Sequence, residues 1–169
     1  MSTEALRPGG ATDRRRRDRI FLVVVDDSPE RAVALRYACL RALKGSGRVA
    51  LLRVVEPAGM SEWAGVGALL REERREEAER LLSSLAADVN RITGAMPILF
   101  VREGNPRDEL LKLLAEEERI SILVLASSPA GEGPGPLITA LAGKHSGRLR
   151  RPMTIVPGGL TDAELDAVT

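Results

Sequence analysis

Two short polar stretches, each following an apolar run, hold the residues best suited to bind a ligand. Asp26-Asp27-Ser28 follows Ile20 to Val25, and Ser127-Ser128 follows Ile120 to Ala126. A carboxylate there can take ribose hydroxyls or a metal ion. Hydroxyls together with backbone N–H groups can take phosphate. The same residue types also make turns and cap helices, and the pattern alone leaves both roles open. Downstream lies Gly131-Glu132-Gly133-Pro134-Gly135-Pro136. It misses the dinucleotide fingerprint because Pro136 stands where the last glycine belongs. A proline also removes a donor N–H that a phosphate loop would use.

Catalytic constellations are scarce. His145 is the single histidine, and its neighbours Lys144 and Arg148 are basic, whereas a nucleophile–histidine–acid triad needs an acidic partner. It reads as an exposed helix-end residue. Cys39 falls within a helical stretch and reads as a buried core thiol. The sequence contains no Walker A pattern, and no paired-carboxylate site stands out.

The elements that must position these residues alternate regularly. Apolar, β-branched runs mark strands at Ile20 to Val25, Val49 to Val55 (interrupted by Arg53), Pro97 to Val101, Ile120 to Ala126 and Met153 to Val156. The fourth, strongly apolar, is expected to be central. Helices are expected over Glu30 to Leu43, Leu69 to Ile92, Arg107 to Glu118 and Leu137 to Ser146. Ser28 is expected to cap the first, with Val33, Tyr37 and Leu40 on one stripe; Asn105 and Pro106 open the third. Gly45-Ser46-Gly47 stops the first helix. The Arg71 to Arg80 face of the second reads as solvated, with ion pairs four residues apart. Thr161-Asp162-Ala163-Glu164 is a capping-box pattern for a last short helix. This β-α alternation implies one open parallel sheet with helices on both faces. Ligands bind such sheets at the carboxyl ends of the strands, where Asp26 and Ser127 fall.

Composition bounds the rest. The chain has 169 residues, enough for one domain with a sizeable core, and only 2% are aromatic, so Leu, Val, Ile and Ala must fill that core. Net charge is +1, which argues against a dedicated nucleic-acid binder. A single cysteine excludes an internal disulfide. With no apolar run long enough to span a bilayer and no secretory pattern, the expectation is a cytoplasmic protein without a membrane partner. Residues 1–18 read as a disordered tail containing the short basic block Arg14 to Arg17, residues 19–157 as the domain, and residues 158–169 as a C-terminal tail with a short helix.

Five segments in order carry a family resemblance. Phe21-Leu22-Val23-Val24-Val25-Asp26-Asp27-Ser28, Leu51 to Pro57, Val101-Arg102-Glu103-Gly104-Asn105-Pro106, Ile122 to Ala126 and Pro152 to Pro157 resemble the universal stress protein (UspA-like) family over residues 20 to 157. The resemblance implies a Rossmann-like sheet of order 3-2-1-4-5, and a homodimer paired through the edge strand Met153 to Val156. It places Val54 where adenine packs and Asp26 at the acidic position. ATP-binding members carry Gly-x-x-Gly, nine residues, then Gly and Ser or Thr. One frame here puts Ala126, Pro129, Thr139 and Ala140 at those positions. Another puts Ala130, Gly133, Gly143 and Lys144 there. Strand and helix lengths favour the first, and neither is intact.

Three functions follow. The first is a non-catalytic stress-response homodimer acting through protein partners, without conventional ATP binding. The second is an adenine-nucleotide sensor, its ligand ATP or another adenine nucleotide with magnesium. Its site would comprise Asp26, Asp27, Ser28, Val54, Ala126, Ser127, Ser128, Gly131, Gly133 and Thr139. The third is a weak nucleotide hydrolase.

Overall fold

The computed structural model describes residues 19–57, 64–129 and 133–169. The tail expected at residues 1–18 lies outside the described residues, as does Gly131. In chain order the elements are β1 (Ile20–Val24), α1 (Arg31–Gly45), β2 (Arg48–Val55), α2 (Ala64–Thr93), β3 (Ile98–Glu103), α3 (Pro106–Glu116), β4 (Ile120–Ser127), α4 (Pro136–Ala142), β5 (Met153–Pro157) and α5 (Asp162–Val168). The five strands form one parallel sheet of order β3-β2-β1-β4-β5. β1 is therefore central, and β4 lies one place out from the position its apolar run suggested. Both strands read as continuous hydrophobic runs because both are covered on two faces.

Side-chain alternation divides the core into two layers. Phe21, Val23, Val25, Leu51 and Val124 face α1, α2 and α5. Ile20, Leu22, Leu52, Leu123 and Leu125 face α3 and α4. On α1 the buried residues are Ala34, Leu35, Ala38, Cys39 and Ala42, while Val33, Tyr37 and Leu40 are only partly buried. The helix lies on three alanines with Leu35 and Cys39, and the apolar stripe of Val33, Tyr37 and Leu40 packs at the margin of the same core.

Local signals explain most element ends. Asn105 accepts hydrogen bonds from the N–H groups of Arg107 and Asp108 at 3.1 and 3.3 Å, and Pro106 begins α3. Ser28 does not cap α1. Its hydroxyl donates to Asp26 Oδ1 at 2.6 Å, and the residue preceding the helix is Glu30, which makes no side-chain cap bond. α1 ends with Ser46 in the left-handed region (φ 54°) and the Gly47 N–H donating to Ala42 O at 2.8 Å. A Cβ at Gly47 would sit 2.8 Å from Arg19 O and 2.9 Å from Phe21 Cε2, so glycine is required there for space. α4 is shorter than expected: Gly143 leaves helical dihedrals (φ −94°, ψ −116°), and Ser146–Arg148 form a separate 3₁₀ turn.

On the outer face of α2, Arg75 pairs with Glu79 and Glu76 with Arg80, at 3.2 and 3.6 Å. The capping box at Thr161 and Glu164 forms, and α5 docks rather than trailing away. Leu165 is 1% exposed within the core, and Arg36 of α1 pairs with Asp162 and Asp166 at 3.1 and 3.0 Å. Among the described residues no helix is long and apolar enough to cross a membrane.

Candidate functional site

β1 pairs with β2 on one side and β4 on the other, so the chain leaves its carboxyl end in opposite directions. A crevice opens at such a switch point. Here it is a cavity of about 930 Å³. Its apolar floor comes from three adjacent strands, Val24 of β1, Val54 of β2 and Leu125 of β4, with Ile138 of α4 beside them.

The first rim is the turn after β1. Asp26 Oδ1 accepts the Ser28 N–H at 3.0 Å and the Ser28 hydroxyl at 2.6 Å, so the carboxylate folds its own turn. Arg31 Nη1 donates to the carbonyls of Asp26 and Ser28 at 3.2 and 3.4 Å and holds the turn from α1. From β2, Arg53 Nη1 donates to Val25 O at 3.2 Å, and its Nη2 contacts both Asp27 carboxylate oxygens at 2.9 Å. The arginine that interrupts the apolar run of β2 is thus a clamp across the end of β1.

The second rim is the segment before α4. Gly133 and Gly135 take left-handed φ of 84° and 88°, conformations that favour glycine. They alternate with Pro134 and Pro136, which have no N–H to offer a ligand. The Thr139 hydroxyl donates to Gly135 O at 2.8 Å within α4.

Of the residues expected at the site, Asp26, Asp27, Ser28 and Val54 line the cleft. So do Ala126, Ser128 and Gly133. Thr139 and Ser127 do not. The Ser127 carbonyl accepts the Gly158 N–H at 2.8 Å, packing the chain after β5 against the end of β4. The structure adds Arg31, Arg53, Arg74 and Glu77 to the lining, none of them expected. Only Arg53 left a trace in sequence, as a charge inside a strand.

The single histidine and the single cysteine lie elsewhere. His145 is half-buried rather than exposed, with Nε2 3.3 Å from Arg107 Nη1 and away from the cleft. Arg107 also holds the Asp108 carboxyl below the usual range, by hydrogen bond and by charge. Cys39 is buried in the core, and desolvation pushes its thiol up to about 11. Among the described residues no group of three or more His, Cys, Asp or Glu side chains could hold a metal ion.

Compared with curated protein sequences, the chain matches none significantly. Solved structures show the same fold. The universal stress protein UspA from Lactobacillus plantarum is 16% identical, with 81% of this chain and 96% of that one covered and a TM-score of 0.70. A universal stress protein family member from Burkholderia pseudomallei is 22% identical, with 89% and 99% covered and a TM-score of 0.62. A family protein from Arabidopsis thaliana, solved with AMP bound, is 13% identical, with 82% and 90% covered and a TM-score of 0.55. The model of the universal stress protein family matches residues 19–157, the whole of the sheet and the four helices between its strands. The chain belongs to the universal stress protein family.

Proposed function

We propose that this protein is a non-catalytic sensor whose cleft takes an adenine-bearing ligand and reports it through a dimer to protein partners. The observation that carries the reading is the apolar floor of Val24, Val54 and Leu125 at the switch point of the sheet. A planar base buries its faces against such side chains, and the turn carbonyls and carboxylates above can receive ribose hydroxyls. The cavity, about 930 Å³, falls in the range of about 300–1,000 Å³ usual for small-molecule sites. The AMP seen in the Arabidopsis relative supports an adenine ligand.

Conventional Mg-ATP fits the residues less well. Pro134 and Pro136 remove donors from the second rim, and the Thr139 hydroxyl is committed to Gly135 O. Turnover would also need a water-positioning base; the one histidine lies away from the cleft, and of the two carboxylates that follow β1, Asp26 holds Ser28 through Oδ1 and Asp27 is paired with Arg53. Dimer formation through β5 is supported by its edge position and by the exposure of Ile155.

Calorimetric titration with adenosine and AMP tests the reading, using wild type and Val54→Trp, which fills the floor. Binding by wild type and its loss in the variant, with circular dichroism unchanged, is the expected result. Absence of binding to wild type, or full binding by the variant, overturns it.

A further inference from the structure

We infer that the cleft selects the uncharged nucleoside over its phosphorylated forms; this rests on the adenine reading above and names the ligand class. The first observation is the charge of the walls. Among the described residues, five carboxylates line the cleft: Asp26, Asp27, Glu30, Glu56 and Glu77. Three guanidiniums oppose them: Arg31, Arg53 and Arg74. Arg53 is ion-paired with Asp27 at 2.9 Å, which cancels one of each. Arg31 and Arg74 then face four carboxylates, a surplus of two negative charges. Arg31 is further committed to the carbonyls of Asp26 and Ser28.

The second observation is independent of charge. A phosphate bound without metal needs convergent N–H donors. Pro134 and Pro136 take two N–H donors out of the described part of the second rim, leaving those of Gly133, Gly135, Leu137 and Ile138, and the hydroxyl of Thr139 donates to Gly135 O. The first rim supplies acceptors: the Ser28 hydroxyl proton and N–H both go to Asp26. Carboxylate oxygens and turn carbonyls suit the hydroxyl donors of a ribose and repel a phosphate. One like-charge pair at about 4 Å in water-like screening weakens binding about fivefold. A dianionic phosphate facing the surplus is therefore disfavoured on the order of tenfold or more.

The test is calorimetric titration of the full chain with adenosine, AMP, ADP and ATP without magnesium, at low and high salt. A Glu56→Gln/Glu77→Gln double variant is titrated alongside. The expected order is adenosine tightest, AMP about tenfold weaker and ATP weaker still. Salt should improve AMP binding by screening the repulsion and leave adenosine unchanged. The double variant should narrow the gap between adenosine and AMP. AMP or ATP binding more tightly than adenosine, or AMP binding that weakens with salt, overturns the inference and leaves the adenine site standing. Failure of all four ligands to bind overturns the adenine reading and this inference with it.

Discussion

Arg53 ties β2 to the end of β1, and its contacts with the Val25 carbonyl and the Asp27 carboxylate can be separated in a double-mutant cycle with Asp27. The ion pair is lopsided: the Arg53 side chain is 20% exposed and that of Asp27 82%. An exposed pair of this kind contributes about 0.2–1 kcal/mol. The bond from the guanidinium to Val25 O is shielded, since Val25 is 3% exposed. A hydrogen bond to a charged group contributes about 1.5–3 kcal/mol. The Val25 carbonyl opens toward the cleft once Arg53 is gone, and water there offsets part of the loss. Arg53→Met should therefore destabilise the fold by about 2 kcal/mol and Asp27→Asn by about 0.5 kcal/mol, with a coupling no greater than about 1 kcal/mol. Urea unfolding followed by far-ultraviolet circular dichroism measures all four corners of the cycle. A coupling above about 2 kcal/mol would show that the carboxylate, not the carbonyl, is what Arg53 holds, and the assignment of the clamp would be wrong.

Leu165→Ala should cost about 2–5 kcal/mol because Leu165 is buried in the core beneath α5; a loss below about 1 kcal/mol in thermal or urea unfolding would mean that the helix does not dock. Gly47→Ala should destabilise by about 1–3 kcal/mol, since its Cβ meets the Arg19 carbonyl at 2.8 Å; unchanged stability would contradict that close approach. Cys39, with its thiol pushed up to about 11, should resist a thiol reagent at pH 8 until the chain unfolds, and rapid labelling of native protein would refute its burial. Thr161 lowers the pKa of Glu164 through its N–H and its hydroxyl. A lowered carboxyl stabilises above its unfolded pKa, and the contribution is lost as pH falls through the folded value. The protection of α5 amides against exchange, taken relative to the intrinsic rate at each pH, should fall at acid pH in wild type and change less in Glu164→Gln; the same loss of protection in both would rule out the capping box as its source.

The sheet was legible because burial on two faces leaves continuous apolar runs, and Ile120 to Ala126 is as plain in sequence as in the fold. Its place in the order was less so: apolarity reports coverage, and both β1 and β4 are covered, so only pairing distinguishes the centre. The most buried face of α1 was not legible for a related reason. A hydrophobic stripe favours large residues, whereas close packing on a sheet selects Ala34, Ala38 and Ala42. Ser28 has the residue type of a cap, but Asp26 two positions earlier competes for its hydroxyl and wins. The site was half legible. Residues at strand ends could be placed from the alternation alone. Arg74 and Glu77 could not, because they come from a long helix whose rotation about its axis is fixed only by packing.

That division also shows how a family fold can keep a cleft while its chemistry changes. Val24, Val54 and Leu125 pack against the core layer under α3 and α4, so replacing them would cost stability whether or not a ligand binds. The rim has no such obligation. Asp27 and Ser28 are exposed or half-exposed, and the segment through Pro134 and Pro136 buries little. Substitution at these exposed positions, unlike at Arg53, Gly133 or Gly135, costs the fold little and changes the charge and donors of the rim. A floor held by the core and a rim open to change together favour a retained base slot with an altered preference for what is attached to the base. Adenosine against AMP is therefore a sharper probe of this protein than ATP against nothing, because it varies the rim contacts while holding the floor contacts constant.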